Sequence, residues 1–302
     1  MTPDEDNSAP PVTRHIISAS RRTDIPSFYM PWFMNRVRAG VVRYPHPFTG
    51  QPLEVSLRHE HVHSIVFWTK NGAPLLEHVD ELRDRGYAFV CHFTITGVPR
   101  QLEPGVPAWE EAVATFLALS RRLGPERVWW RYDPVLLTDA AGPDHYVSQF
   151  RAMAAALEGA TGRCFFSFAD FYGKVQRRLR VEQVTARDPA LDEKQQLAQE
   201  LGEMAAAHGM ELLACCQDEV VGGSVGKGHC IEADELRRLF PEHSLKAAAR
   251  PTRKQCGCSA SRDIGVYDTC PHRCIYCYAN QNTRRVEERH RSHDAGAETL
   301  VP

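Results

Sequence analysis

Six short apolar runs recur along the chain, separated by stretches of helical periodicity. They are His15–Ala19 (HIISA), Ser64–Trp68 (SIVFW), Tyr87–Ile95 (YAFVCHFTI), Val128–Arg131 (VWWR), Cys164–Phe168 (CFFSF) and Glu211–Cys216 (ELLACC). Several are apolar over their whole length, as strands are when both faces of their sheet are covered. Between the runs, apolar residues fall at steps of three and four. The spacing predicts helices over 28–39, 75–85, 109–123, 145–157 and 193–208. Leu53–Leu57 is a further short strand candidate. Strand–helix alternation of this kind dictates a parallel sheet with right-handed crossovers. The expected class is α/β, and six units fit a partly closed barrel or a doubly wound sheet.

The pattern changes after the sixth run. Residues 217–282 are rich in Gly, Cys and charge, with one helical stretch over Glu232–Leu239. They read as a cysteine-rich extension to a βα domain over 14–216. Residues 283–302 are rich in Arg and His and read as a flexible tail. Residues 1–13 are acidic and Pro-rich and read as a disordered lead-in. That lead-in lacks the basic start and apolar core of a signal peptide, and no run of 18 apolar residues follows. A cytoplasmic location without membrane contact is the expectation. Lys plus Arg is 36 against 38 Asp plus Glu, so the basic surplus of a phosphate-backbone binder is missing. A nucleic-acid partner is therefore not favoured, and a small-molecule substrate is.

Eight of the ten cysteines lie at or after residue 215. In a reducing compartment, clustered thiols read as metal-binding or catalytic. DTCPHRCIYCYAN spaces Cys270, Cys274 and Cys277 as Cys-x3-Cys-x2-Cys. Three thiolates in one short loop can face three irons of a [4Fe–4S] cubane and leave the fourth without a protein ligand. Zinc also takes thiolates, although structural zinc favours four ligands in paired knuckles. A second site, zinc or iron–sulfur, is open to Cys216, Cys230, Cys256 and Cys258. Strand alternation points Cys215 and Cys216 to opposite faces, and Cys216, nearest the strand end, is the expected ligand.

In βα folds, functional residues gather where strands pass into their following loops. The first such loop gives Arg21, Arg22 and Asp24, and the second gives Lys70. These are the candidate catalytic residues; the Arg pair suits a carboxylate or phosphate bidentately, and Lys70 suits it as a point charge. His92 and Thr94 on the third strand, with Arg131 and Asp133 on the fourth, are candidate cofactor-binding residues. The plain alternative is an inert ion-pair network at the rim, with His92 a satisfied core histidine. No G-x-S-x-G elbow, P-loop or G-x-G-x-x-G is present.

CPHRCIYCY resembles the signature of the radical S-adenosylmethionine (radical SAM) superfamily, with Tyr276 as the aromatic before the last cysteine. The resemblance implies a [4Fe–4S] cluster whose open iron chelates S-adenosylmethionine, with Tyr276 near the cofactor. It implies reductive cleavage to a 5′-deoxyadenosyl radical and an electron donor such as a flavodoxin or ferredoxin. It also implies a partial (βα)6 TIM-like barrel, here with a C-terminal iron–sulfur extension. The superfamily places its cysteine loop after the first strand, a position taken here by SRRTDIP. Over nearly its full length the chain also resembles an uncharacterised bacterial family, domain of unknown function 1848. The matching segments are IISASRRTDIP, IVFWTKN, WRYDPVL and CGC…DTCPHRCIYCYAN; that resemblance implies no settled substrate. The rival expectation is a non-enzymatic zinc- or iron–sulfur-binding module that meets nucleic acid or a protein partner. It is motivated by thiols beside Arg250, Arg253, Lys254, Arg284 and Arg285.

Overall fold

The computed structural model describes residues 14–301, so the lead-in over 1–13 lies outside the described residues. The strands are β1 (His15–Ala19), β2 (Val41–Pro45), β3 (Pro52–Ser56), β4 (Val62–Thr69), β5 (Phe89–Thr94), β6 (Val128–Val135), β7 (Arg163–Phe168), β8 (Glu211–Cys215), β9 (Val225–Gly228) and β10 (Arg262–Asp263). The helices are α1 (Ile25–Phe28), α2 (Met30–Ala39), α3 (Ala73–Leu76), α4 (Val79–Asp84), α5 (Trp109–Leu123), α6 (Pro143–Leu157), α7 (Gly173–Val181), α8 (Leu191–Ala207), α9 (Ala233–Leu239) and α10 (Thr283–Arg291).

Eight strands form one sheet in the order β10-β1-β4-β5-β6-β7-β8-β9, and every neighbouring pair is parallel. The six expected strands are its contiguous centre. The sheet is open, ending on β9 and β10 without closing on itself. Both outer strands come from the extension that the sequence placed outside the sheet. β10 has two residues, and β9 (VGKG) carries no apolar run that would announce it. Its glycines serve close approach: a Cβ on Gly226 would stand 2.9 Å from the Leu213 side chain. β2 and β3 form a separate antiparallel hairpin.

Strand alternation sorts the core into two layers. Ile17, Phe67, Phe93, Trp130, Tyr132, Phe166 and Leu212 face the helices. Ile16, Val66, Val90, Trp129, Phe165 and Leu213 face the other way. This inner face is covered by the extension itself, through Ile231, Leu236, Leu239, Phe240 and Leu245 on and around α9. Burying each such side chain contributes about 1.5–3 kcal/mol, so the extension is integral to the fold.

Some helices differ from their predicted spans. The stretch over 28–39 starts earlier and breaks at Tyr29, with Pro26 and Pro31 each in a first turn. The stretch over 75–85 divides into α3 and α4. α7 escaped sequence reading because only Val175 and Leu179 of its nine residues are buried. The 283–302 tail, expected to be flexible, is docked over its described part. Asn282 caps α10 by accepting the Arg285 N–H (3.1 Å), and Leu300 is buried. Trp32 Nε1 and Asn35 Nδ2 of α2 donate to the Ala297 and Ala295 carbonyls (3.0 and 2.9 Å). Those anchors are main-chain carbonyls, which composition does not reveal. No helix among the described residues is long and apolar enough to cross a membrane.

Candidate functional site

The inner face turns polar toward the carboxyl ends of the strands. One alternation step beyond the apolar layer stand Ser18, Trp68, His92, Arg131, Ser167 and Cys215, and a further step gives Ser20, Lys70, Thr94 and Asp133. Trp68 organises this row. Its indole stacks on His92 (centroids 4.3 Å apart, 13° between planes) and donates to Ser18 Oγ at 3.1 Å. The Arg21 and Arg131 guanidiniums lie 5.2 and 5.0 Å from its ring centroid, within cation–π range. Arg131 pairs with Asp133, which also accepts from Ser167 Oγ. Thr94 sits opposite Arg131 in register. His92 donates from Nε2 to the Cys230 carbonyl (2.7 Å), and its Nδ1 is buried without a partner. Burial, and then the Arg131 charge, push its pKa down to about 3, so the ring is neutral.

The cysteine loop is a lid clamped over the carboxyl ends of β1, β4 and β5. Asp24 Oδ1 caps α1 by accepting the Ser27 N–H (2.9 Å). Its Oδ2 accepts the Lys70 N–H (2.7 Å) and His272 Nε2 (2.8 Å). His272 Nδ1 faces the Gly105 carbonyl at 2.8 Å, so both ring nitrogens stand opposite oxygen atoms. The backbone between Gly105 and His272 is close enough that a Cβ on Gly105 would fall 2.8 Å from the His272 carbonyl. Ile275 N–H donates to the Leu102 carbonyl (2.9 Å), and Tyr278 Oη donates to the Arg21 carbonyl (2.6 Å). From the opposite side, Arg178 of α7 donates to the carbonyls of Cys274 (2.9 Å), Cys277 (3.2 Å) and Asn280.

Of the sequence candidates, Arg22 and Asp24 act as fasteners. Arg22 is held by Asp263 of β10 (Nε to Oδ1, 3.2 Å), which also accepts from Ser18, Ser20 and the Arg21 N–H. Lys70 Nζ lies 5.8 Å from the ring centroid of Tyr276 in the lid and pairs at 2.8 Å with Glu103, whose side chain is buried. Glu103 also accepts from Thr96 Oγ1 (3.1 Å) and Tyr276 Oη. Glu103, His272 and Asp263 are central here, and sequence reading missed all three. His272 lies inside the cysteine motif, a usable signal; Glu103 and Asp263 carry none.

Cys270, Cys274 and Cys277 lie together within this lid. Burial raises the Cys274 thiol well above its usual range, against the pull of Lys70 beside it; burial and then Asp24 raise Cys270. Cys277 Sγ accepts the Ala279 N–H at 3.3 Å. The donor set fits an iron–sulfur cluster: three soft sulfurs in one short loop, one already receiving an amide hydrogen bond, with no fourth protein thiol in the motif. The other late cysteines gather elsewhere, at the end of β8. Cys215 Sγ stands 2.8 Å from Cys230 Sγ and 3.8 Å from Cys216 Sγ. The residue facing the others from the strand is thus Cys215, on the Leu213 face, where sequence reading chose Cys216. Cys216 lies just past the strand at φ 58°, outside its alternation. Among the described residues, no three His, Cys, Asp or Glu side chains already stand in coordinating geometry.

A cleft of about 670 Å³ opens beyond β7 and β8, lined in part by Asp170, Tyr172, Gln176, Cys216, Arg253 and Lys254. It flanks the lid, with the Tyr172 and Tyr278 rings 6.4 Å apart.

No curated protein matches the chain. A family described as domain of unknown function (DUF1848) matches residues 16–279, a span running from β1 through the cysteine loop. The chain belongs to the DUF1848 family.

Proposed function

We propose that the chain is a radical SAM-type enzyme that carries a [4Fe–4S] cluster on Cys270, Cys274 and Cys277 and acts on a small-molecule substrate. The observation that carries this reading is the seat of the Cys-x3-Cys-x2-Cys loop, clamped over the carboxyl ends of parallel strands, where α/β folds place their chemistry. On this reading the open sheet is a partial (βα)6 barrel widened by β9 and β10. The chemistry such a cluster supplies is one electron to the sulfonium of S-adenosylmethionine, breaking its C5′–S bond to give methionine and a 5′-deoxyadenosyl radical.

The chain's own residues then have separable tasks. Asp24 and His272 hold the lid shut and exclude water. Lys70 and Glu103 fix Tyr276 beside the cysteines and set the local charge. Arg131 and Arg21 suit the cofactor carboxylate, while Asp133 suits ribose hydroxyls. The cleft beside Cys216 gives a small molecule access, and an external flavodoxin or ferredoxin supplies the electron.

The test is anaerobic reconstitution with iron and sulfide, reduction, and measurement of 5′-deoxyadenosine. Cofactor-dependent 5′-deoxyadenosine is the expected result. A reduced, cluster-loaded protein that forms none would overturn the enzyme reading and leave a metal-binding module.

A further inference from the structure

A second set of thiols lies outside the cysteine loop, and the proposed reaction makes no use of it. We infer that Cys215, Cys230, Cys256 and Cys258 form a second metal centre, for a thiophilic ion or cluster, on the inner face of the sheet at the end of β8. The residues come from three separate segments. Cys215 ends β8, Cys230 follows β9, and Cys256 and Cys258 follow α9. Cys215 Sγ lies 2.8 Å from Cys230 Sγ, Cys258 is buried in the same cluster, and Cys256 packs against that cluster. Cys216 stands at the edge, beside Arg253 and open to the cleft.

Ordinary core thiols do not keep such company. Cys91 and Cys164 show the alternative, being fully buried among apolar side chains on the helix-facing layer. Around the second set the structure buries positive charge. Arg131 Nη1 donates to Cys230 Sγ at 3.2 Å, and the Arg131 side chain is only 9% exposed. The Arg21 charge also acts on Cys230 and Cys258, and its Nη2 is buried with no partner. His92 Nδ1, fully buried nearby, is likewise unpaired. Arg131 also pairs with Asp133, but Arg21 Nη2 has no partner, and a neutral thiol supplies neither arginine with a further anion.

Cys215 and Cys230 stand closer together than two ligands of one metal do. The 2.8 Å between Cys215 and Cys230 is longer than a disulfide bond of about 2.05 Å. Two thiolates on one zinc stand roughly 3.8 Å apart, from metal–sulfur bonds of about 2.3 Å in a tetrahedron. Seating the pair on a metal therefore separates the sulfurs by about 1 Å. Each ligand thiol gives up its proton to solvent on binding. Zinc and an iron–sulfur cluster share this donor chemistry, and the experiment separates them.

The experiment uses full-length protein with Cys270, Cys274 and Cys277 all replaced by Ser, so that the lid site is removed whatever its role. The protein is purified anaerobically, and its zinc, iron and sulfide are quantified before and after loading with zinc or with iron and sulfide. Stoichiometric retained metal is expected, zinc alone or iron with sulfide naming its kind. Adding Cys230→Ser and Cys258→Ser should abolish it, whereas Cys216→Ser should not. To keep the test independent of whether the added variants fold, cobalt(II) is also titrated into the lid-site variant with the second set intact. Ligand-field and thiolate-to-cobalt bands of a tetrahedral all-sulfur site are expected. A folded lid-site variant that binds no metal and shows no such bands overturns the proposal, as does undiminished metal in folded protein lacking Cys230 and Cys258. Neither outcome depends on cofactor cleavage, so failure here and failure of the proposed reaction are distinguishable.

Discussion

The two groups of cysteines differ in how the chain assembles them. Cys270, Cys274 and Cys277 sit in one loop, and their neighbours are carboxylate, lysine and tyrosine: Asp24, Glu103, Lys70 and Tyr276. Cys215, Cys230, Cys256 and Cys258 meet only because the sheet and α9 bring distant segments together, and their neighbours are arginines and a neutral histidine. A contiguous site is held by local geometry plus a few clamps. A dispersed site is held by the whole core, so its integrity and the fold's are linked.

The largest expected effect breaks the comparison outright. Replacing Cys270, Cys274 and Cys277 together should take 5′-deoxyadenosine formation to background while thermal unfolding stays near that of the apo wild type, because the loop's clamps do not run through its sulfurs. If activity persisted, the division of labour between the two groups would fall.

Next comes the Lys70–Glu103 pair. Lys70→Met leaves the Glu103 carboxylate buried without its counter-charge and should cost about 3–5 kcal/mol in urea unfolding. Adding Glu103→Leu should recover part of that loss. A double variant no better than the single one would show that Glu103 serves Thr96 and Tyr276 more than Lys70.

His272→Ala should cost about 1–3 kcal/mol by removing one of the three hydrogen bonds to the buried Asp24 carboxylate, and should expose residues 264–282 to limited proteolysis. Protection equal to wild type would mean that Arg178 and Tyr278 hold the lid unaided.

The second group should answer to pH through His92. Its folded pKa, about 3, lies below the usual value of about 6.5, so the unfolded chain binds the extra proton. Stability contributed by the neutral ring is present above about pH 6.5 and is lost as pH falls toward 3, by at most about 1.4 kcal/mol per pH unit. Unfolding curves of His92→Gln should lack that part of the slope, and an unchanged slope would remove His92 as its source.

The smallest effect concerns Cys216, whose thiol in the metal-free protein is drawn down to about 6 by the hydrogen bond from Cys215 and by Arg253. Its alkylation by iodoacetamide should show a midpoint near that pH, and Arg253→Ala should raise it. An unmoved midpoint would separate Arg253 from the thiol.

The sequence determined by itself the six strand–helix units, the parallel sheet they build and the three-cysteine loop. Each is written in local periodicity or in contiguous spacing, which no tertiary contact has to supply. The strand-end candidates Arg131, Asp133 and Lys70 were legible for a related reason: the inner face turns polar one alternation step past its apolar layer. Only the tertiary structure decided the rest. β9 and β10 join the sheet through backbone pairing with no apolar signature, and the tail docks through main-chain carbonyls. Glu103 and Asp263 acquire their roles from partners 33 and more than 240 residues away in the chain. Cys215 faces the other thiols because it shares the Leu213 face, while Cys216 lies past the strand at a positive φ. The lid's seat on the strand ends, and the meeting of Cys215, Cys230, Cys256 and Cys258 at the end of β8, depend on long-range closure, which spacing along a chain does not encode.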